Sequence, residues 1–169
     1  MDDLDTLSPA LHVQVKDLLV REAACLDERR WDDWLALYLP DCRYWLMAWD
    51  SEHELATDPR ADVSLIYYDS RRGLEDRVVR IRSGLSAAST PLPRTWHWVG
   101  NLILDASHPG GLTVHAKWQT RSFRNRHTDT YYGTYEYQLR RTEGAWRIAS
   151  KRIVLLNDVV YTVLDVYNV

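Results

Sequence analysis

The dominant spacing of apolar residues changes near Thr95, and that change limits the possible folds more than any other feature. Before Thr95, apolar side chains recur every three or four residues, which is typical of amphipathic helices. After it, they alternate with polar ones, which is typical of strands buried on one face. Helices followed by long antiparallel strands predict an α+β domain, a curved sheet whose concave face packs against about three N-terminal helices.

The helical part is divided by capping residues and prolines. Three helices are predicted, over residues 9–28, 31–39 and 71–83. Ser8-Pro9 is a typical start for the first, Pro40 is expected to end the second, and Asp69 or Ser70 can cap the third. The segment between the second and third helices is predicted to contain a strand, an acidic loop and a short apolar strand, over 42–49, 50–62 and 64–68.

The alternation after Thr95 predicts which side chains face the core. Pro109-Gly110-Gly111 and Thr142-Glu143-Gly144 are predicted turns between strands. In the first strand, Trp96, Trp98, Leu102 and Leu104 are predicted to face inward, opposite His97, Asn101 and Asp105. Inward positions of the later strands are predicted to be Leu112, Val114, Ala116 and Trp118, then Tyr131, Tyr135, Tyr137 and Leu139, then Trp146, Ile148, Val154 and Leu156.

Length and charge exclude several classes of protein. The 169 residues fit one domain spanning 1–169, and a net charge of -3 gives no field for binding nucleic acid. Because no window approaches the roughly 20 apolar residues of a membrane helix, and the start is acidic rather than basic, we expect a cytoplasmic protein without a membrane partner. Basic residues are mostly Arg, and Trp and Tyr are abundant; both trends are typical of subunit interfaces, although a GC-rich genome would also favour Arg.

The chain has few candidate residues for metal or nucleophilic chemistry. A Rieske cluster needs two Cys and two His, but neither Cys25 nor Cys42 has a nearby His in sequence. Three histidines on neighbouring strands could converge on a metal, although hydrogen-bonded surface histidines are the simpler interpretation: His97, His115 and His127. Nucleotide-binding glycine patterns and nucleophile motifs do not occur.

Acid–base chemistry in a cone-shaped cavity has more candidates. The residues available are Asp32, Asp33, Asp41, Asp76 and His97. A structural role is the alternative for each: helix capping for Asp32, solvated turns for Asp33 and Asp41, an ion pair with Arg77 or Arg80 for Asp76, and a surface position for His97.

Several segments, in order, resemble the small (beta) subunits of aromatic-ring-hydroxylating dioxygenases, especially the benzoate, toluate and anthranilate branch. They are Arg29-Arg30-Trp31-Asp32-Asp33-Trp34-Leu35, Ala48-Trp49-Asp50-Ser51-Glu52, Ser64-Leu65-Ile66-Tyr67-Tyr68, Gly73-Leu74-Glu75-Asp76-Arg77-Val78 through Arg80-Ile81-Arg82, Pro93-Arg94-Thr95, Asp129-Thr130-Tyr131-Tyr132-Gly133-Thr134, Val154-Leu155-Leu156-Asn157-Asp158 and Asp165-Val166-Tyr167. The run Thr95-Trp96-His97-Trp98 is bulkier than is usual in that branch, which suggests a changed subunit contact.

The resemblance implies a cone similar to nuclear transport factor 2 and ketosteroid isomerase. It implies a cofactor-free structural subunit in an assembly of three large and three small subunits. The large subunit would carry the Rieske 2Fe-2S cluster and a mononuclear Fe(II), and an NADH-dependent reductase would supply electrons. The assembled enzyme would dihydroxylate an aromatic carboxylate such as benzoate, a substituted benzoate, salicylate or anthranilate.

Contacts with the large subunit and with other copies are expected to use an acidic loop, a tyrosine pair, an arginine-rich helix and the bulky tryptophan run. The expected interface residues are Trp49, Asp50, Tyr67, Tyr68, Arg71, Arg72, Asp76, Arg77, Arg80, Trp96 and His97. A solvated charged helix is the alternative for the arginine-rich segment. Two other functions stay open: a stand-alone cone-fold isomerase or dehydratase using a pocket Asp or His, and a module that binds a small apolar ligand.

Overall fold

The computed structural model describes residues 8–61, 64–107 and 110–169. Its helices are α1 (Pro9–Asp27), α2 (Trp31–Ala36) and α3 (Arg71–Ser83), with a short 3-10 turn over Ala87–Ser89. Its strands are β1 (Tyr38–Met47), β2 (Ser64–Tyr68), β3 (Arg94–Asp105), β4 (Leu112–Arg124), β5 (His127–Thr142) and β6 (Ala145–Leu155). The predicted Asp62 end of the acidic loop and Pro109 of the first turn lie outside the described residues.

The strands form one six-stranded sheet in the order β2-β1-β6-β5-β4-β3. All neighbouring pairs are antiparallel except β1 and β6, which run parallel. The α+β class and the curved sheet with helices on one face are therefore confirmed, with the refinement that the sheet is mixed. β2 and β3 are the two edges, so surfaces on them lie five strand spacings apart, about 24 Å.

Helix α1 follows the prediction closely. Its first turn is capped by Ser8, whose Oγ accepts a hydrogen bond from the backbone N of Leu11 at 3.2 Å. Its buried face packs on the inner face of the sheet, and consists of Leu11, Val15, Leu18, Leu19, Glu22, Cys25 and Leu26.

Helix α2 is shorter than predicted: it ends at Ala36, so the expectation of a helix to residue 39 is wrong. Tyr38 instead begins β1, where it pairs with Ile148 of β6. Pro40 lies in this strand, at the irregularity between Tyr38 and Arg43, where a missing N–H costs no ladder bond. Strand pairing therefore overrides the helical spacing of the aromatic residues.

A bulge in β3 reverses the predicted faces of its first half. Gly100 pairs with Lys117 but Ile103 pairs with His115, so one extra residue is inserted on β3. Asn101 adopts a positive φ of 52° at this point. Leu102 and Leu104 face inward as predicted, whereas Trp96 and Trp98 are exposed and His97 turns inward, contrary to the prediction.

β6 contains the same kind of irregularity. Ser150 pairs with Gln138 and Ile148 with Leu139, which leaves one unpaired residue between them on β6. Beyond this point the inward residues are Lys151, Ile153 and Leu155. Val154 and Leu156 consequently lie on the outer face, so their predicted inward orientation is wrong.

The core between the helices and the sheet is built largely from aromatic rings. Trp34 meets Tyr38 and Tyr44 edge-on, and Trp118 stacks on Tyr135 with ring centroids 5.1 Å apart. A smaller cluster lies on the opposite, outer face of the sheet, where Ala56 of the loop after β1 packs with Trp45 and Met47. Most of the outer face nevertheless stays uncovered by this chain.

Candidate subunit interface

Large apolar side chains line one end of the outer face. We call them the aromatic strip; each is 36–52% exposed, and they are Trp49, Trp96, Trp98, Phe123, Tyr132 and Leu156. Isolated exposed apolar residues are ordinary, but a contiguous row is typical of an interaction surface. The strip exists because the β3 and β6 bulges turn Trp96, Trp98 and Leu156 outward.

The strand register makes the strip continuous. Trp98 pairs with Gln119, and Gln119 pairs with Tyr132 on the next strand. The backbone N of Leu156 donates to the carbonyl oxygen of Tyr132 at 2.9 Å. Trp49 extends the row, because its Nε1 donates to the carbonyl oxygen of Leu155 at 2.7 Å. The strip therefore crosses the sheet from the β3 edge to the loop that follows β1.

The two ends of the strip carry opposite charges. At the β3 end, Trp96 pairs with Arg121, and the Arg94 guanidinium lies 4.4 Å from the centroid of the Phe123 ring. At the other end, a tight turn after Trp49 exposes an acidic group, which we call the acidic corner: Asp50, Glu52 and Glu54. The turn is closed by the backbone N of Asp50, which donates to the Glu54 carbonyl oxygen at 2.8 Å.

His97 lies directly beneath the strip and is a buried anchor rather than the predicted surface histidine. Its side chain is only 2% exposed, and its Nδ1 lies 2.5 Å from Oδ1 of Asp27, at the C-terminal end of α1. Asp27 also accepts hydrogen bonds from the backbone N of His97 and the hydroxyl of Thr95. Partial burial by itself raises the pKa of Asp27, but these hydrogen bonds outweigh it and hold the pKa below its usual value.

The arginine-rich helix α3 divides into anchored and exposed residues. Arg77 forms an ion pair with the buried Asp165 near the C-terminus, rather than with Asp76. Arg71 pairs with Glu75 and donates to the Tyr38 carbonyl oxygen at 3.1 Å. The exposed members of the predicted interface on α3 are Arg72, Asp76 and Arg80.

The two tyrosines of the predicted pair are neighbours on β2, so their side chains lie on opposite faces of the sheet. Tyr67 and Tyr68 are both half-buried, so each offers only part of its side chain to another subunit. Tyr67 meets Trp45 edge-on on the outer face, whereas Tyr68 packs against the main core. The predicted interface residues thus lie in three places: the β3 edge, the acidic corner and the β2–α3 edge.

Of the other acid–base candidates, Asp76 lies exposed on α3 and the remaining three take part in surface ion pairs. Asp32 pairs with Arg82 at 2.8 Å and Asp33 with Arg30 at 2.9 Å, so the helix-capping role predicted for Asp32 is not what its side chain does. Asp41 lies 2.7 Å from Arg140. Hydrogen bonding from these arginines lowers the pKa of Asp32 and of Asp41. Because their lowered pKa values keep them ionised, Asp32 and Asp41 are poor general acids.

A buried charge cluster in the core was not predicted. Lys151 Nζ lies 2.9 Å from Oε1 of Glu22, and both side chains are at most 2% exposed. Tyr137 donates to Oε2 of Glu22 at 2.7 Å and Tyr38 donates to its Oε1. Burial by itself raises the pKa of Glu22, but Lys151 and the two phenols hold it below its usual value.

The cysteines and histidines that the structure describes do not fit an iron–sulfur cluster or a metal. Burial raises the pKa of Cys25, and that of Cys42 to about 12, which disfavours the thiolates that a cluster needs. His97, His115 and His127 do not converge: His97 faces inward, His115 lies on the outer face, and His127 pairs with Asp129 beside a turn. Residues 8–61, 64–107 and 110–169 contain no group of three or more His, Cys, Asp or Glu that could hold a metal ion.

The geometry defines a class of protein, an α+β cone whose sheet has a largely uncovered outer face. Comparison with known proteins narrows the class. Residues 21–162 match the family described as "Ring hydroxylating beta subunit". The chain belongs to this family, and is thus a component of an aromatic-ring-hydroxylating dioxygenase whose implied partner is an alpha oxygenase subunit. Within the described residues, no helix is long and apolar enough to cross a membrane.

Individual relatives are similar to this chain over nearly its whole length. It is 42% identical to the 2-halobenzoate 1,2-dioxygenase small subunit of Burkholderia cepacia, over 94% of this chain and 96% of that protein. It is 38% identical to the benzoate 1,2-dioxygenase beta subunit of Acinetobacter baylyi, over 98% and 96%. The crystal structure of the benzoate 1,2-dioxygenase beta subunit from Burkholderia mallei is 35% identical, with a TM-score of 0.77 over 97% of this chain and 99% of that one.

Proposed function

We propose that this chain is the structural small subunit of a terminal oxygenase that dihydroxylates an aromatic carboxylate. The observation that carries the proposal is that relatives of this chain at 38–42% identity are small subunits of halobenzoate, benzoate, toluate and anthranilate dioxygenases. The substrate named for each of these four enzymes is a benzene ring that carries a carboxylate. Benzoate, a substituted benzoate, salicylate or anthranilate is therefore the proposed type of substrate.

The assembly is proposed to hold three large and three small subunits, with residues 1–169 acting as one domain in the cytoplasm. The large subunit would carry a Rieske 2Fe-2S cluster and a mononuclear Fe(II), and an NADH-dependent reductase would supply the electrons. This assignment is supported by the chemistry of this chain, since its two thiols are buried with raised pKa values and His97, His115 and His127 lie apart.

In this assembly the proposed role of the chain is structural support for the large subunit. Its aromatic core and its buried Glu22–Lys151 pair make a rigid body, whose outer face and α3 edge are available for other chains. We propose that the exposed α3 charges contact the large subunit, beside the exposed apolar side chains of Val79 and Leu85. The eleven interface residues predicted from the sequence thus fall into two groups. Some are exposed contact residues, and others, including Arg77 and His97, hold those contact residues in position.

The test of the proposed reaction uses the reconstituted complex with a reductase, NADH and labelled dioxygen. Both oxygen atoms of one O2 are expected in a cis-diol of the aromatic acid, or in a catechol when that diol loses carbon dioxide together with a ring substituent that departs as halide or ammonia. The two electrons come from one NADH. Oxidation of neutral arenes such as naphthalene, with no turnover of any benzoate, would contradict the proposed substrate class.

A second candidate, a stand-alone acid–base enzyme, has one observation in its favour. His97 is oriented by Asp27, as a general base must be, and its buried Nε2 has no hydrogen-bond partner among the described residues. It predicts turnover by the purified chain without a large subunit, abolished by His97→Asn. The ligand-binding alternative instead predicts that a small apolar ligand raises the melting temperature of the isolated chain.

A further inference from the structure

A cavity of about 320 Å³ lies on the outer face of the sheet, towards its β2 edge. We call it the arginine–tryptophan pocket, and its lining includes Arg43, Trp45, Pro59, Tyr67, Ser150 and Arg152. The residues on β1 and β6 face outward because their neighbours Tyr44 and Lys151 are buried on the inner face. A volume of this size is at the lower end of the range for small-molecule sites.

The strand register brings two aromatic rings and two arginines together in this pocket. Trp45 pairs with Tyr67 on one side and with Arg152 on the other. The rings of Trp45 and Tyr67 meet edge-on with centroids 6.2 Å apart, and the Arg152 guanidinium lies 5.6 Å from the centroid of the Trp45 ring. Arg43, two residues before Trp45, pairs with Ser150 and so lies next to this row. The pocket therefore combines an aromatic wall with two positive charges.

The side chains around the two arginines do not neutralise both of them. Arg43 is exposed and has no ion pair or hydrogen bond among the described residues. Arg152 forms one ion pair, 3.1 Å from Oε1 of Glu136, and its buried Nε has no hydrogen-bond partner in the described part of the chain. Asp69, which follows β2, forms no ion pair with Arg43 where the structure describes the chain. Two guanidinium groups thus face one paired carboxylate, and the pocket retains a net positive charge.

The chemistry of the lining defines the ligand that fits. The planar fork of an arginine matches the two oxygens of a carboxylate. Aromatic side chains pack favourably against another ring in edge-on or offset arrangements. An anion without a ring would leave the Trp45 and Tyr67 wall uncovered, and a ring without a charge would leave Arg43 unpaired.

We propose that the arginine–tryptophan pocket binds a small aromatic carboxylate, whose carboxylate pairs with Arg43 and whose ring packs against Trp45 and Tyr67. This inference rests on the lining of the pocket and not on the proposed function, although the ligand belongs to the same chemical class as the proposed substrate. The small subunit then carries a binding site of its own for aromatic acids, in addition to its structural role.

Photolabelling with 4-azidobenzoate tests this site without any turnover. Light converts the azide into a nitrene that bonds to the residues it touches, and mass spectrometry identifies the labelled peptides. The experiment uses the complex with the large subunit, with benzoate, benzamide and acetate as competitors. Arg43→Gln removes the proposed partner of the carboxylate. Arg21→Gln is the matched control, because Arg21 is also exposed and unpaired among the described residues but lies on α1.

The expected label lies on the small subunit, on residues 43–47 or 64–68, and excess benzoate should suppress it. Benzamide lacks the charge and acetate lacks the ring, so neither should protect the site at the same concentration. Arg43→Gln is expected to reduce the label several-fold, and Arg21→Gln should leave it unchanged. Label confined to the large subunit would overturn the inference. So would equal labelling of Arg43→Gln and the wild type, or equal protection by benzamide.

Arg43→Lys provides the second measurement, because it keeps the positive charge but loses the planar fork. Its labelling is expected to lie between that of the wild type and that of Arg43→Gln, and a value no higher than that of Arg43→Gln would contradict the charge pairing. Labelling of the isolated chain but not of the complex would show that another chain covers the pocket, which also overturns the inference. If the wild-type chain retains no large subunit at all, the proposed function fails, and labelling of the chain alone still decides this inference.

Discussion

Lys151 Nζ on β6 lies 2.9 Å from Glu22 Oε1 on α1, and both groups are buried beneath the aromatic core. The pair joins the first helix to the last strand across 129 positions of sequence. The Lys151 ammonium also lies 4.1 Å from the centroid of the Tyr135 ring. A buried ion pair adds little net stability over an apolar pair, but breaking one half of it is costly.

Glu22→Gln should therefore destabilise the fold strongly, because it leaves Lys151 charged and unpaired in the core. The expected loss is about 3 to 5 kcal/mol in the free energy of unfolding, measured by urea denaturation. The double variant Glu22→Gln with Lys151→Met should recover part of that loss. Asp41→Asn is the control, since its pair with Arg140 is exposed and should cost less than about 1 kcal/mol. If Glu22→Gln and Asp41→Asn lowered the free energy of unfolding equally, the role given to Glu22 would be contradicted.

The same cluster predicts how stability depends on pH. The pKa of Glu22 in the folded chain lies below its ordinary value of 4.5, so the ionised carboxylate stabilises the fold at higher pH. That contribution is complete above pH 4.5 and is lost as the pH falls below this value through the folded pKa. Urea midpoints measured from pH 3 to pH 7 should fall more steeply on acidification for the wild type than for Glu22→Gln. Parallel curves would show that Glu22 is not the group responsible.

Asp27→Asn should loosen the β3 edge beneath the aromatic strip. The carboxylate accepts three hydrogen bonds from His97 and Thr95, and bonds to a charged acceptor contribute about 1.5–3 kcal/mol each. The expected loss of stability is about 2 kcal/mol, with faster hydrogen exchange at the His97 amide. His127→Ala is a matched control, because this histidine is 74% exposed and should change stability by less than about 0.5 kcal/mol. Unchanged exchange in Asp27→Asn would contradict the anchoring role.

Gly133→Ala should prevent β5 and β6 from pairing normally. A Cβ added at Gly133 would lie 1.8 Å from the Val154 carbonyl oxygen and 3.2 Å from Nε1 of Trp118. Gly144→Ala is the matched comparison. The φ of Gly144 is 80°, but a Cβ added there would meet no described atom within 4 Å other than its chain neighbours. Only backbone strain of about 1–2 kcal/mol is therefore expected. Thermal melting should show a far larger loss for Gly133→Ala. A similar loss for both variants would contradict the close approach of the strands.

The sequence predicted those parts of the fold that depend on local spacing. Helices α1 and α3 and the inward tyrosines of β5 follow a regular period, and the ordered motifs identified the family. The bulges in β3 and β6 could not be located from the sequence. One extra residue shifts the alternation by one position, and apolar residues occur on both sides of each bulge, so either face could be assigned to the core. Gly100-Asn101 was the available signal in β3. The error placed Trp96 and Trp98 in the core and His97 at the surface.

The buried charge cluster was missed for a different reason. Glu22 lies four residues after Leu18 and four before Leu26, on the apolar face of α1, which is a recognisable anomaly in a helix. Its partner Lys151 lies 129 positions away, so only the three-dimensional structure brings the two together. Helix α2 was overextended because pairing between Tyr38 and Ile148 is equally non-local.

Co-purification with the large subunit tests whether this chain works as a subunit without a cofactor of its own. The tagged chain would be expressed with its large subunit, and the native mass, iron content and visible spectrum of the retrieved complex would be measured. We expect a hexamer of two chain types with Rieske-type absorption, whose colour and iron remain with the large subunit when the chains are separated. A colourless homo-oligomer that leaves the large subunit behind would contradict it.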